Sequence, residues 1–434
     1  MDRRDFLRNS ALAAAGAATI AGGVSCDAFP EKVQTRMPGD GYVKEPSRKI
    51  PVVDKAGVVV LGGGPAGFAA ALAAARQGSD VLLLERGYFL GGLFTGCDVT
   101  LLNDMYTPTR EGRKQAVFGI CDELCKRLEE AGMLEWLTTP PNVDTEATKY
   151  FMEQMCVDAG VRILYGVQGA GVSMSGNRIE ALFLETKAGR VAVKGGIFID
   201  CSGDGDILPW AGEAFTEYNY DISAMYRIGN AYGTVPGSKT SNEGVWTMHL
   251  GSGIQDVDGL DPRVLTDAQI QLRKKMWDKT LKLRESPGNG SAYLLSSPSL
   301  VGVRVTRVLD SVFNVTAQGA AEGTSYNDVI GFTGADSTLK WNGEKLDRLD
   351  RKMWQVPYRS LVPKRTHNLL VAGRCFGYEQ ELRYDAREVG TCLLTGEAAG
   401  IAAAQALESR TSTRDVDVRR LQRTLRSCNV KLDW

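Results

Sequence analysis

Histidine is nearly missing from this sequence: there are two in 434 residues, His249 and His367. Protein-bound zinc and iron draw heavily on imidazole, so this scarcity argues against a metal site. Cys121 and Cys125 lie four apart in an expected helix, but no second pair completes a ligand set. An excess of one charge is also lacking. Lys and Arg number 51 against 52 Asp and Glu, a formal net charge of −1, so there is no electrostatic footprint of a nucleic-acid partner. No run approaches the roughly twenty apolar residues that a membrane span requires, and no internal repeat is present. What the chain does have is glycine. There are 49, many where a tight turn or close ligand approach would need one.

The N-terminus reads as an address rather than as fold. Arg3-Arg4-Asp5-Phe6-Leu7-Arg8 resembles the twin-arginine export consensus and runs into an Ala- and Gly-rich stretch from Ala11 to Val24, too short and too mildly apolar to span a membrane. Residues 1–26 are therefore expected to be a signal that exports the protein already folded. Gly23-Val24-Ser25-Cys26 resembles a lipoprotein box, with Gly23 where a larger aliphatic residue is usual. Two outcomes stay open: a lipid anchor on Cys26, or cleavage by ordinary signal peptidase. The expected location is periplasmic or membrane-tethered. Residues 27–55, rich in Pro, Lys and Glu, read as a linker. Nine cysteines in an exported chain raise the question of disulfides. Folding before export, in a reducing compartment, argues instead for buried thiols acting as small hydrophobes.

Regular structure is expected from Gly57-Val58-Val59-Val60-Leu61, a buried-strand run. A glycine turn, a helix over Ala66–Gln77 and a second strand over Val81–Glu85 follow, closing a βαβ unit. Further on, the pattern predicts a helix over Thr145–Ala159 and a strand over Val161–Tyr165. A small meander through Gly171–Phe183 and Arg190–Val193 comes next, then a separate buried strand at Gly196–Asp200. From Ile207 to Trp354 the texture becomes aromatic and irregular, with a helix near Asp267–Arg284. The style of the first part returns with a strand over Asn368–Ala372, a helix over Thr391–Leu407 and a short helix over Val418–Arg426. The expected organisation is a first nucleotide-binding part over 56–206, a substrate or cap domain over 207–354, a second binding part over 355–408 and a tail helix over 409–434.

Gly62-Gly63-Gly64-Pro65-Ala66-Gly67 matches GxGxxG through Gly62, Gly64 and Gly67. Glycine allows the tight turn, the approach of a pyrophosphate and close helix packing, while the helix N-terminus directs N–H groups at the phosphates. Glu85 ends the second strand eighteen residues after Gly67, placed to accept from adenosine ribose hydroxyls. Gly91-Gly92 resembles the second diglycine of flavoproteins with two dinucleotide folds, and Thr366 through Arg374 resembles their late strand-glycine motif, with Arg374 where Asp is common. These features point to FAD. Four blocks resemble the FAD-dependent oxidoreductase family related to fumarate reductase flavoproteins, of the xanthan-lyase-associated type. They are Gly62–Gly96, Ile199–Asp206, Gly302-Val303-Arg304 through Arg307, and Val356–Leu407. The resemblance implies non-covalent FAD in an α/β fold: a glutathione-reductase-type, two-part Rossmann domain interrupted by an α+β substrate domain. It implies cofactor contacts from Gly62, Gly64, Pro65, Ala66, Gly67, Glu85, Arg86, Gly91, Gly92, Leu93, Gly203, Asp204, Gly373 and Arg374. Gly390 and Thr391 would open a helix facing the flavin, whose N-terminal dipole suits the charge of the reduced ring.

For the chemistry, Arg387 and Arg304 are candidates to hold a carboxylate or an oxyanion. The alternative for Arg304 and Arg307 is pairing with acids or cofactor phosphates. Proton transfer could fall to His249, Tyr384 or Asp385, and Cys97 is either a buried thiol or a point of covalent flavin attachment. No second GxGxxG with a downstream acid appears, so a separate electron acceptor or donor is expected beside the small-molecule substrate. Three functions are compatible with these residues: oxidation of a small, carbohydrate-derived molecule; reduction of an activated C=C bond; and a flavin-bearing electron-transfer subunit.

Overall fold

The computed structural model describes residues 46–109, 112–136, 141–232, 238–242, 244–251, 253–334, 340–341, 344–345 and 353–433. The export signal and Cys26 lie outside the described residues. The first elements are β1 (Val52–Leu61), α1 (Pro65–Arg76) and β2 (Val81–Glu85). β1 and β2 pair in parallel, Val58 opposite Val81 through Leu61 opposite Leu84. β1 begins before the apolar run does, since Val52 already pairs with Ala192, so the linker expected to reach residue 55 stops short of it. The cause is polar disguise. Asp54 and Lys55 interrupt the pattern, and Asp54 is held by Arg162 at 2.6 Å.

After a short helix α2 (Gly92–Gly96) come α3 (Ile120–Glu130), α4 (Thr145–Asp158), β3 (Arg162–Tyr165), β4 (Gln168–Ser175), β5 (Arg178–Thr186) and β6 (Gly189–Asp200). The sheet order is β3-β2-β1-β6-β5-β4, and a seventh strand, Leu369–Val371, also pairs with β6. The third meander strand and the separate buried strand read from the sequence are one strand. The first half of β6 pairs antiparallel with β5, and Phe198–Asp200 pair in parallel with Leu369–Val371. Gly195 and Gly196 lie inside this one strand and pass close contacts: a Cβ on Gly196 would lie 2.6 Å from Leu407 Cδ1. Alternation along β1 sends Val58 and Val60 into one core and Val59 and Leu61 into the other, one on each face of the sheet.

A second sheet is antiparallel. Its strands β7 (Met225–Gly229), β8 (Ser238–Asn242), β9 (Val245–His249) and β10 (Tyr293–Ser296) lie in the order β8-β9-β7-β10. Helix α5 (Pro262–Arg284) packs near β10 and starts earlier than expected. Asp261 caps it, accepting from Arg263 N at 2.8 Å, with Pro262 in the first turn.

The chain returns to the first sheet through β11 (Leu369–Val371), followed by α6 (Val389–Ser409) and α7 (Val418–Ser427). α6 is buried almost from end to end, as its all-round apolar sequence requires. Its small residues serve helix–helix contact: a Cβ on Gly396 would lie 2.1 Å from Ala66 O, and one on Gly400 2.2 Å from Ala70 O. α6 is thereby locked against α1, behind the glycine turn. Among the described residues no helix is long and apolar enough to cross a membrane.

Candidate functional site

A cavity of about 470 Å³ opens where β1, β6 and β11 end and α1 begins, at the carboxyl edge where open α/β sheets bind ligands. Gly62 has φ +100°, and a Cβ there would lie 2.4 Å from Cys201 O. One on Gly67 would lie 1.7 Å from Gly62 O, so Gly67 brings the first turn of α1 against the loop. A Cβ on Gly64 would meet only Gly92 Cα, at 4.0 Å. Gly64, Pro65 and Ala66 are cavity walls at the N-terminus of α1, whose free N–H groups favour phosphate.

Glu85 is buried in the same wall and accepts from Gly63 N at 2.7 Å and Gly87 N at 2.6 Å. It holds the glycine loop, and each oxygen keeps a lone pair for a ribose hydroxyl. Arg86, Gly92 and Leu93 line the cavity beside it. Gly91 does not; its φ of +102° caps α2, and a Cβ would strike Thr95 at 2.4 Å. Across the cavity, Asp200 accepts from Ser202 N, Ser202 Oγ and Ile207 N at 3.0, 2.6 and 2.8 Å, fixing the Cys201–Gly205 turn. Gly203 is a wall, whereas Asp204 stands behind it. Asp204 pairs with Arg374 at 2.7 Å and accepts from Thr306 Oγ1 at 2.8 Å, so its part is to hold the cavity-lining Arg374. Gly373 completes this wall, its φ of +81° setting it 2.9 Å, by its missing Cβ, from the Ala66 Cβ.

Gly390 and Thr391 require a correction. Their N–H groups donate to the Asp104 carboxylate at 2.9 and 2.6 Å, and the Thr391 hydroxyl donates to it at 2.7 Å. The positive end of α6 is thus met by a buried acid, and the cavity walls at this point are Glu388, Val389 and Cys392. Burial, with Glu388 nearby, pushes the Asp104 carboxyl up to about 7. Nothing local in the sequence pairs residues 286 apart.

The remaining walls carry charge. Arg387 lies 3.2 Å from Glu388 Oε1, with its guanidinium 5.7 Å from the Tyr220 ring centroid. Arg304 also lines the cavity and makes no ion pair or hydrogen bond among the described residues. Burial and the neighbouring Arg387 lower its affinity for its own proton. Arg307 took the alternative course, pairing with Asp206 and Glu217 at 3.4 and 3.5 Å.

His249 faces the cavity, and its Nδ1 accepts from Gly251 N at 2.9 Å. Partial desolvation at the cavity, with Arg304 next, lowers its pKa, which favours the neutral ring. That hydrogen bond leaves the single ring proton on Nε2, making His249 a donor at Nε2 rather than the expected base. Tyr384 and Asp385 are not walls of the cavity. Tyr384 packs edge-on against Tyr220, ring centroids 5.5 Å apart, and Asp385 is buried. Tyr220 and Glu388 are the neighbours of Arg387 that bear on the site. Cys97 lines the cavity as a buried thiol bonded to Leu300 O at 3.3 Å, pushed up to about 12 by burial. Such a thiol is no nucleophile. The eight cysteines described are all free, and no group of metal-binding side chains occurs among the described residues.

Residues 57–223 and 213–425 match the family described as FAD dependent oxidoreductase. The chain belongs to this family. It is an enzyme, and its cofactor is FAD. FAD fits the residues present: a glycine turn open at Gly64, a buried acid one strand away, and one cavity joining both to Gly373 and the arginines. The chain is also similar to dihydrolipoyl dehydrogenase of Bacillus subtilis (strain 168), 47% identical over 53 residues, which are 12% of this chain and 10% of that one. The match thus spans a tenth of that protein. Among solved structures it resembles a geranylgeranyl bacteriochlorophyll reductase-like protein from Thermoplasma acidophilum, with 14% identity, 86% of this chain and 84% of that chain covered, and a TM-score of 0.46. It also resembles p-nitrophenol 4-monooxygenase from Pseudomonas putida DLL-E4, with 10% identity, coverage of 83% and 82%, and a TM-score of 0.45.

Proposed function

We propose that this enzyme is an exported FAD-dependent oxidoreductase of the fumarate-reductase-like, xanthan-lyase-associated type. In this reading it oxidises a small, carbohydrate-derived, anionic substrate. The observation that carries the substrate's charge is Arg304, a half-buried guanidinium with no hydrogen-bond or ion-pair partner among the described residues, beside a second arginine in one cavity. Arg387 already has Glu388 beside it, so Arg304 is the charge left for a bound anion, and a guanidinium takes a carboxylate through two hydrogen bonds. Bound FAD supplies the hydride acceptor. The turn at Gly62–Gly67 and the N-terminus of α1 hold its pyrophosphate, and Glu85 takes the ribose hydroxyls. Arg304 binds the substrate carboxylate, Arg387 orients the reacting end, and His249 donates from Nε2 to a substrate oxygen. Glu388, on the wall and poised against Arg387, takes the substrate proton. A separate acceptor completes the cycle, and the twin-arginine segment with Cys26 supports export, free or lipid-tethered.

The test is anaerobic addition of sugar acids and neutral sugars to FAD-loaded enzyme, read at the visible flavin band. Bleaching by acids, with at least tenfold weaker half-saturation in Arg304→Gln at unchanged flavin content, is expected. No bleaching by any of them, with dithionite-reduced enzyme reoxidised by α,β-unsaturated acids instead, would show C=C reduction and overturn the oxidative reading.

A further inference from the structure

Helix α5 turns an unusual face to solvent. Its buried residues, Val264, Ala268, Leu272, Met276 and Thr280, recur every four positions and form the stripe that packs on the body. Ile270, Trp277 and Leu281, at spacings of seven and four, fall on the opposite side and are 59%, 51% and 41% exposed. A stripe outside as well as inside is not what the packing of one sheet demands. Its surroundings are basic. Within Pro262–Arg284 there are seven Lys or Arg against two Asp, in a chain whose overall net charge is −1. Arg263, Arg273, Lys274, Lys279, Lys282 and Arg284 are all exposed. On the adjoining strand β10, Tyr293 and Leu295 are exposed as well.

We propose that this face of α5 lies on an anionic lipid surface. A helix with tryptophan and aliphatic residues on one stripe and long cationic side chains beside it suits the boundary between headgroups and acyl chains. The stripe enters the boundary while the Lys and Arg stems reach back to lipid phosphates. A second copy of the chain is a poorer occupant. Two-fold pairing would set one strongly basic helix against its identical mate. The contact is peripheral and reversible, and it stands apart from the reading of residues 1–26 as an export signal and of Cys26 as a tether.

The test uses full-length FAD-loaded protein carrying Cys26→Ser in every arm, so that no acyl chain contributes. Co-sedimentation is measured with vesicles of phosphatidylglycerol and phosphatidylcholine, and with phosphatidylcholine alone. Binding to the anionic vesicles only, weakened by 0.5 M NaCl (roughly a 4 Å Debye length), is expected. It should fall at least tenfold in the Ile270→Ser/Trp277→Ser/Leu281→Ser variant. All three positions are exposed, and flavin content verifies the variant's fold. A vesicle-induced blue shift of tryptophan emission should disappear in Trp277→Phe. Equal binding of parent and triple variant, or no binding by the parent, would overturn the proposal. So would a concentration-dependent dimer of the parent that the triple variant abolishes, since that assigns the face to a second copy.

Discussion

Asp104 reaches from a short turn to the start of α6 and satisfies Gly390 N, Thr391 N and the Thr391 hydroxyl. Asp104→Ala leaves the two N–H groups buried without an acceptor, whereas the hydroxyl keeps Thr333 Oγ1 at 2.5 Å. Each orphaned buried donor costs roughly 1–3 kcal/mol. Part of this is offset because the acid itself resists ionisation in its buried site, so a loss of about 3 kcal/mol is expected. Asp104→Asn keeps one acceptor and should lose less, about 1–2 kcal/mol. The pH dependence has a definite sign. The carboxyl is raised from 3.8 to about 7, so folding favours its protonated form. That contribution is complete below the unfolded value and is lost as pH rises through the folded one. An amide has nothing to lose in this window. The gap between the parent and Asp104→Asn should therefore narrow as pH rises from 4 to 7, by at most about 1.4 kcal/mol per unit. Urea unfolding of FAD-saturated protein at a series of pH values measures both effects. If Asp104→Ala unfolds within about 0.5 kcal/mol of the parent, or the gap widens with pH, Asp104 is not the cap of α6.

Three further substitutions separate cofactor binding from folding. Gly64→Ala places a Cβ that meets only Gly92 Cα, at 4.0 Å, at an ordinary φ of −66°; stability without FAD should hold while flavin is lost on gel filtration, and retained flavin would remove Gly64 from the phosphate site. Gly396→Ala drives a methyl to 2.1 Å from Ala66 O, which should destabilise the protein by about 1–3 kcal/mol, seen as a lower urea midpoint with or without FAD. Cys97, pushed up to about 12, should stay unlabelled by iodoacetamide at pH 8, and acid precipitation should leave all flavin in the supernatant; flavin retained in the pellet would show a covalent link.

The sequence carried the parts of the fold whose signals are local. Gly62–Gly67 with Glu85 located the nucleotide turn because both ends of a βαβ unit lie within one short segment. The apolar run of β1 begins only at Gly57 because Asp54 and Lys55 mask the paired residues before it, and β6 reads as two strands because Lys194 and Gly195 interrupt its apolar pattern. The start of α5 is legible in Asp261-Pro262, a capping residue before an N1 proline, whereas the apolar pattern alone begins later. The proton-transfer role open to His249 is not legible in the sequence for a different reason. Which ring nitrogen is free depends on Gly251 N, and composition says nothing of that. Asp104 and Tyr220 left no signal, since each acts on a partner far along the chain.

The glycines divide once their missing Cβ atoms are considered. At Gly62, Gly67, Gly91 and Gly203 a side chain would strike the protein itself, at 2.4, 1.7, 2.4 and 2.6 Å. Gly64 alone among the GxGxxG positions keeps that space open toward the cavity. The motif is thus mostly a rule for building the turn, which is why it identifies the dinucleotide fold and is silent on the reaction. The charged and titratable walls of the cavity come from three separate places: His249 at the end of β9, Arg304 in an extended stretch after β10, and Arg387 with Glu388 just before α6. They meet only in the cavity of the folded chain. Specificity in this enzyme should therefore follow changes in residues 249, 304, 387 and 388, with the glycine turn left as it is.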